Sequence, residues 1–428
     1  MTAWVVWAAK VANALIGFAT SILIARLLGP SGRAEYFLGA TVAAGVFATC
    51  HLSLDQSIFW AVAEKRASVR RIVKTLAPIS LALAGGCFGV YWLVDRIGLL
   101  GHLPHGTAVV GAFLAPVLLA RFLVDAILYT TDRSRLASAS LVATAILQLL
   151  GIAALAASGN ITSTTVLAVS GASTLLGGIG NAVAVVRTRS AGTVGRVGLR
   201  SLLGIGLRNH LAVIGLWLAL RADVIIVAQL VSKHDLGLYS LAVTLAEVIL
   251  LATDALALSA LGKHRTLERE ESMSYSVKVA SGSARIAAIE VLLVAAFGWP
   301  LILLAYGRSW LGVYPVLLCL APGTIALGYM RPLGAGFIRA GRALERSIVM
   351  VAAAAVNVGG ALVATPLFGI IGAAATSTLA YAIGAALLAW RVRSSLGLRP
   401  WVKARLVWPP TRPASTKPAP GEVPTTPS

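Results

Sequence analysis

Residues 137–157 read ASASLVATAILQLLGIAALAA and contain no charged side chain. A helix needs about 20 apolar residues to cross the hydrocarbon of a bilayer, so this stretch is long enough for one crossing. Similar apolar runs lie on both sides of it. The sequence predicts twelve transmembrane helices, at residues 4–25, 37–60, 74–94, 107–130, 137–157, 164–186, 203–230, 237–261, 284–306, 312–330, 347–366 and 369–390.

The composition of the whole chain agrees with this interpretation. Of 428 residues, 58% are hydrophobic and 12% are charged. Soluble domains carry about 25% charged residues, and no aqueous fold could bury so much apolar surface. Cys50, Cys87 and Cys319 each lie within an apolar run and form no metal-binding pattern. We therefore expect an all-α integral membrane protein without a bound metal.

Basic residues alternate from one predicted loop to the next. Loops on one side of the membrane, together with the C-terminal stretch, hold 27 Lys and Arg, whereas the opposite loops hold 5. Cytoplasmic loops collect Lys and Arg, so we expect both termini in the cytoplasm. This distribution explains most of the net charge of +20 without nucleic acid, and a basic face attracts anionic lipid headgroups. Residues 393–428, rich in Pro, Thr and Ser, are predicted to form a disordered tail.

The two halves of the chain repeat each other weakly. With an offset of 203 residues, five residues of the first half meet identical residues of the second: Ala25, Leu27, Tyr36, Leu38 and Thr41 align with Ala228, Leu230, Tyr239, Leu241 and Thr244. Both halves begin on the same side, so the repeat is parallel. We predict two six-helix bundles, residues 1–190 and 191–392, around a central cavity, which is a transporter architecture.

The same segments resemble a known family. Residues 25–36, ARLLGPSGRAEY, resemble the first outer loop of the polysaccharide-transporter family, which belongs to the multidrug/oligosaccharidyl-lipid/polysaccharide (MOP) flippase superfamily. Residues 221–223 with 236–242 resemble its seventh and eighth helices. Residues 340–342, Asn357 and residues 366–374 resemble its last third. The resemblance extends over roughly residues 11 to 392.

The resemblance implies a function. Such a protein would move polyprenyl-diphosphate-linked oligosaccharide from the cytoplasmic to the outer leaflet of a bacterial inner membrane, by rocking of its two bundles. Family members have 12 or 14 helices, and this chain fits 12. The expected partners are this lipid-linked glycan and membrane lipids, and a polysaccharide polymerase or glycosyltransferases are candidate protein partners.

Cations within the spans are candidates for binding the diphosphate. Charge facing lipid is costly, so ionisable residues inside spans usually face a cavity. Arg binds phosphate through two nitrogens and Lys acts as a point charge. Lys10, Arg121 and Arg221 are therefore predicted to bind substrate. Two alternatives stay open: Arg121 can neutralise Asp125, one turn further along the helix, and Lys10 can extend to the membrane surface.

Acidic residues within the spans are candidates for ion coupling, because coupling requires a carboxylate that changes its charge state. They are Asp55, Asp125, Asp223, Glu247 and Asp254. Glu247 and Asp254 are seven residues apart and share a helix face. Asp223 is expected to pair with Arg221 or with a residue on the eighth span. Asp55 follows His51 by four residues, where an ordinary polar contact is the favoured interpretation.

Several functions are disfavoured by what the sequence lacks. It contains no phosphate-binding motif of the form GxxxxGK followed by Ser or Thr, and no predicted soluble domain that would hold a catalytic site. We expect neither an enzyme nor a bound cofactor, and coupling to a proton or sodium gradient is left open. Two alternatives to the flippase are an ion-coupled multidrug exporter of the same superfamily and a non-transporting scaffold of an envelope-synthesis complex.

Overall fold

The computed structural model describes residues 2–63, 69–101, 103–131, 133–187, 199–264 and 267–401. Helices joined by short turns make up the described residues, which contain no strand. The eleven α-helices are α1 Thr2–Cys50, α2 Leu54–Ala63, α3 Val69–Arg96, α4 His105–Thr130, α5 Ser134–Ala157, α6 Ser163–Val186, α7 Leu199–Leu230, α8 Lys233–His264, α9 Arg269–Ala305, α10 Val313–Arg339 and α11 Ala343–Leu396.

Two of these helices contain two membrane spans each. Ten helices within the described residues are long and apolar enough to cross a membrane. α1 has 49 residues, which at 1.5 Å per residue would extend about 74 Å, more than twice the hydrocarbon thickness. It breaks at Gly29, and α11 breaks at Gly369, both in the left-handed region that glycine tolerates. Ten helices thus supply twelve crossings, which confirms the predicted all-α membrane fold.

The second predicted span, residues 37–60, is interrupted. α1 ends at Cys50 and α2 begins at Leu54, and between them Leu52 and Ser53 both have a φ near +50°. Left-handed backbone at residues other than glycine costs on the order of 1–3 kcal/mol each. The break is held by α7, because the Ser57 hydroxyl donates to the Leu202 carbonyl at 2.6 Å. Hydropathy carries no signal for such a contact.

The last third of the chain has longer helices than predicted. α9 begins at Arg269 rather than at residue 284, and α10 ends at Arg339 rather than at residue 330. Arg331, assigned to a loop from the sequence, therefore lies within α10. The hydrophobic run marks only the part of a helix that lies in hydrocarbon, whereas the hydrogen-bonded helix continues beyond it. Of the predicted tail, residues 402–428 lie outside the described residues, as do the predicted loop cations Lys65 and Arg189.

Most helix contacts fall within one half of the chain. α4 packs against α6 and α3, and α5 against α1 and α6, while α10 packs against α8, α9 and α11. The halves meet where α1 contacts α7 and α8 and where α2 contacts α7. We call the side with the breaks at Gly29 and Gly369 the far side, and the side of both chain termini the termini side. The division into two rocking bundles at residue 190 stays a prediction.

Candidate functional site

Two ion pairs lie one above the other along α8. Arg221 of α7 binds Glu247, and Arg331 of α10 binds Asp254. Both carboxylates come from one face of α8, seven residues apart, as the sequence predicted, and are separated by about 10 Å along the helix axis. The side chains of Glu247 and Asp254 are each 46% exposed. These acids are therefore accessible although their arginines are largely covered.

Arg221 has unused hydrogen-bonding capacity. Its Nη2 atom binds Glu247, whereas Nη1 is buried and has no hydrogen-bond partner. The guanidinium carbon lies 5.6 Å from the centre of the Phe37 ring, which belongs to the second part of α1. Arg221 thus contacts the first half of the chain while it is paired within the second. A buried donor without an acceptor is uncommon and marks a position where a ligand or water can bind.

Asp223 lies two residues further along α7 and is almost completely buried, at 1% exposure. Its carboxylate accepts hydrogen bonds from the Tyr239 hydroxyl of α8, from the Ser377 hydroxyl at 2.8 Å and from the backbone N–H of Val224 at 2.9 Å. Of the two partners expected for Asp223, the structure selects the one on α8. Several donors offset the cost of burying a carboxylate, so Asp223 joins α7, α8 and α11.

A small cavity lies among these groups. It has a volume of about 30 Å³, which is room for about one water molecule. Its polar lining comes from five residues of four helices: Asp223, Glu247, Thr324, Arg331 and Tyr381. The cavity is large enough for a proton-carrying water or a small ion. In this conformation it does not hold a larger substrate.

The first half contains a different charged cluster. Arg121 of α4, 9% exposed, forms an ion pair with Asp125 at 3.0 Å, and it also donates to the Thr144 hydroxyl at 2.9 Å and the Ser140 hydroxyl at 3.2 Å. Asp125 accepts a further hydrogen bond from Asn181 at 2.6 Å. All these partners belong to α4, α5 and α6. The geometry favours the alternative in which Arg121 neutralises Asp125 over a role in binding substrate.

The remaining predicted site residues, Lys10 and Asp55, lie apart from the charged residues of α7, α8 and α10. The Lys10 side chain is exposed in the first span, and Asp55 at the start of α2 accepts from the Gln56 amide at 2.7 Å. Within the described part of the chain neither forms an ion pair. His51 stacks on Phe122, with 5.1 Å between ring centres, and so belongs to an aromatic cluster rather than to a pair with Asp55.

Comparisons with known proteins bear on the fold that holds these residues. Residues 127–315 match the model of a family described as "Polysaccharide biosynthesis protein". The lipid II flippase MurJ, in an inward closed conformation, superposes with a TM-score of 0.71 at 14% identity, over 90% of this chain and 87% of MurJ. An inward-facing multidrug resistance transporter of the MATE family, from the MOP superfamily, superposes with a TM-score of 0.67 at 16% identity, over 92% of this chain and 99% of that transporter. The MATE transporter VcmN of Vibrio cholerae superposes with a TM-score of 0.65 at 15% identity, over 92% of this chain and 96% of VcmN.

This chain has the fold of MurJ and of the MATE transporters. The resemblance drawn from its sequence motifs is thereby confirmed, and the chain is a multi-pass membrane protein. No curated protein matches it by sequence. The range matched by the family model contains Arg221, Asp223, Tyr239, Glu247 and Asp254. Arg121 lies before it, and the other residues of the second-half site lie after it: Arg331, Asn357, Ser377 and Tyr381.

Sequence reasoning missed several residues of the second-half site. Arg331 was assigned to a loop because the hydrophobic run of α10 ends just before it. Tyr239 and Asn357 were noticed only as parts of the internal repeat and of the family resemblance, and neither was predicted to belong to the site. In the structure Asn357 lies 3.1 Å from the Ser377 hydroxyl and donates to the Ala219 carbonyl at 2.8 Å, so it supports the residues that hold Asp223. Ser377 and Tyr381 gave no signal among the many small or apolar residues of α11.

Proposed function

We propose that this protein is a flippase that moves polyprenyl-diphosphate-linked oligosaccharide across the membrane by alternating access. The observation that carries the proposal is the match of residues 127–315 to polysaccharide biosynthesis proteins, because the matched range holds the paired arginine Arg221 and its acids. A diphosphate crossing the bilayer needs cationic donors in a cavity, and guanidinium groups bind phosphate oxygens in pairs.

The proposed mechanism is an exchange of ion-pair partners. Arg221 and Arg331 are each held by one carboxylate, and Arg221 Nη1 lacks an acceptor. When the cavity opens, diphosphate oxygens compete with Glu247 and Asp254 for the guanidinium groups. The displaced carboxylates then take up a proton or a sodium ion, which links substrate binding to an ion gradient. The protein itself forms no covalent bond and needs no cofactor in this scheme.

The charge distribution supports an orientation in the membrane, and the direction of transport is the one that the family resemblance implies. The predicted termini-side loops and tail hold 27 Lys and Arg, against 5 in the predicted far-side loops, which supports a cytoplasmic location of both termini in a bacterial inner membrane. The glycan would then be carried from the termini side to the far side. Polysaccharide polymerases or glycosyltransferases are the proposed protein partners, because they produce or consume such a lipid-linked glycan.

A second candidate function is the export of cationic drugs coupled to an ion gradient. The observation that favours it is the exposure of the carboxylates: Glu247 and Asp254 are more exposed than the arginines that they bind, so a cationic compound could pair with them. The MATE transporters that superpose on this chain share the fold with MurJ, so the fold itself does not separate the two candidates.

The proposal is tested with the purified protein in liposomes. Fluorescent polyprenyl-diphosphate oligosaccharide is placed in both leaflets, and a quencher that cannot cross the membrane is added outside. We expect the inner pool to become quenched only when protein is present, and this rate to fall at least tenfold in Arg221→Gln and Arg331→Gln. Arg339→Gln is the matched control, because Arg339 is an exposed arginine of the same helix, α10, and lies outside the ion pairs.

Two other outcomes would contradict the flippase, and a third would contradict only the proposed mechanism. Uptake of a cationic dye driven by an ion gradient, without movement of the glycolipid, would select the exporter. An absence of movement for both compounds under imposed proton and sodium gradients would leave the scaffold as the better interpretation. Equal flipping rates in wild type, Arg221→Gln and Arg331→Gln would refute the exchange of ion-pair partners while retaining a flippase.

A further inference from the structure

Arg33 is a buried cation without a carboxylate partner among the described residues. It lies four residues after the break at Gly29, and its side chain is 3% exposed. Glu35, the nearest acid in the chain, binds Lys233 at 2.7 Å and the Ser163 hydroxyl at 2.8 Å instead. A buried charge without a compensating charge is strongly unfavourable, so this arginine needs an explanation.

The hydrogen bonds of Arg33 are incomplete. Nη2 donates to the Thr244 hydroxyl at 3.0 Å and Nη1 to the Ser21 carbonyl at a longer 3.4 Å, whereas Nε is buried and has no partner. The hydroxyls of Ser21 and Tyr306 are also buried; they face each other, and neither has another hydrogen-bond partner. Both residues are neighbours of Arg33, so incompletely satisfied polar groups of three side chains lie in one buried region. An acceptor placed among them would accept a hydrogen bond from Arg33 Nε and from at least one of the two hydroxyls.

We propose that Arg33, Ser21 and Tyr306 bind a small monovalent anion such as chloride. A water molecule accepts hydrogen bonds but leaves the charge of Arg33 uncompensated, whereas a monovalent anion balances it. The three side chains are all at least 92% buried, and the Tyr306 ring is enclosed by Phe18 and Trp310, with ring centres 6.3 and 6.4 Å away. This enclosure favours a single ion over a phosphate ester or a sugar.

The site also joins the two halves of the chain. Arg33 and Ser21 belong to α1 in the first half, whereas Thr244 belongs to α8 and Tyr306 follows α9 in the second. All of them lie toward the far side, close to the ion pair of Glu35 with Lys233. The anion therefore stabilises the conformation in which the halves are closed on this side. Binding of the anion does not depend on which substrate the protein transports.

The test measures thermal unfolding of the full chain in a neutral detergent. Gluconate, which is too large for the site, is replaced stepwise by chloride or bromide at constant ionic strength. We expect a saturable rise of the melting temperature in the wild type, because a ligand that binds only the folded state stabilises it. Arg33→Gln should abolish this rise. Arg26→Gln should keep it, because Arg26 is exposed and donates to the Ala305 and Leu304 carbonyls.

Two further variants test the site while keeping its charge. Tyr306→Phe and Ser21→Ala each remove one donor and should weaken the apparent affinity for the anion roughly tenfold, since charged hydrogen bonds contribute more than neutral ones. Anomalous diffraction from bromide should place one ion beside Arg33. A melting temperature that does not respond to the anion means that only water occupies the site and overturns the inference, as does an equal response in wild type and Arg33→Gln.

Discussion

In the first half of the chain, Arg121 has four hydrogen-bond partners on three helices; in the second half, Arg221 has a single described partner, Glu247. The partners of Arg121 are Asp125, Ser140, Thr144 and the Thr174 carbonyl. Both arginines lie inside membrane spans beside an acid, and the sequence assigned them the same role. The difference lies in how many N–H donors of each guanidinium group find an acceptor among the neighbouring residues.

We expect this difference to distinguish a cluster that stabilises the fold from a cluster that takes part in transport. A guanidinium whose donors are occupied in a buried cluster has no capacity left for a substrate, and breaking such a pair leaves a buried charge without compensation. A guanidinium with an unused donor, next to a half-exposed carboxylate, can exchange partners at little cost to the fold. We therefore expect changes in the Arg121 cluster to act on folding and changes in the Arg221 cluster to act on transport.

The largest effect is expected for Arg121→Leu. It leaves Asp125 inside the protein with only Asn181 as a described partner, and the free energy of unfolding should fall by about 3–5 kcal/mol, the usual cost of breaking a buried ion pair. Unfolding monitored by circular dichroism in detergent measures this. The double variant Arg121→Met with Asp125→Leu should recover most of the loss. A stable Arg121→Leu protein without transport activity would show instead that Arg121 contacts substrate.

A smaller effect is expected for Gly177→Ala on α6. A Cβ atom at Gly177 would lie 2.1 Å from Arg121 Nη1 and 2.2 Å from the Thr144 hydroxyl, so the cluster would have to move. Overpacking of this kind typically costs about 1–3 kcal/mol. Gly180→Ala on the same helix is the matched control, because a Cβ there meets nothing within 4 Å and alanine favours helix. Equal stability of the two variants would mean that the cluster is loosely packed.

The smallest effect on stability is expected for Glu247→Gln. Because the Glu247 side chain is 46% exposed, its ion pair should contribute less than about 1 kcal/mol. Transport should nevertheless lose its dependence on an imposed ion gradient, since glutamine cannot take up a proton or exchange a charge. Asp55→Asn, which changes an acid outside the ion pairs, should keep that dependence. A large loss of stability in Glu247→Gln would remove the contrast between the two clusters.

Membrane spans were predictable because every segment that crosses hydrocarbon must be apolar and must satisfy its own backbone hydrogen bonds. The same rule limited the prediction at the ends of spans. Arg331 and Arg33 were both assigned to loops, because a charged residue next to an apolar run reads as the end of a span. In the structure Arg331 pairs with Asp254, and Arg33 is buried between the two halves.

Pairing of side chains from distant parts of the chain could not be predicted in the same way. Helix periodicity alone placed Glu247 and Asp254 on one face of a helix, and in the structure both carboxylates do lie on one face of α8. Their partners Arg221 and Arg331 depend on how α7 and α10 pack against α8, which no local pattern specifies. The contact of the interrupted second span with Leu202 of α7 has the same origin.

The sequence by itself determined that the chain lies in lipid, how many times it crosses the membrane and which fold it adopts. The first depends on composition, the second on the length of the hydrophobic runs and the third on the order of short motifs. Only the tertiary structure decided which intramembrane charges are used up within the protein and which have free capacity. Arg121, Arg221 and Arg33 are the same residue type in similar apolar surroundings. Their roles differ because hydrogen-bond saturation is a property of the packed neighbours and not of the residue or its adjacent sequence.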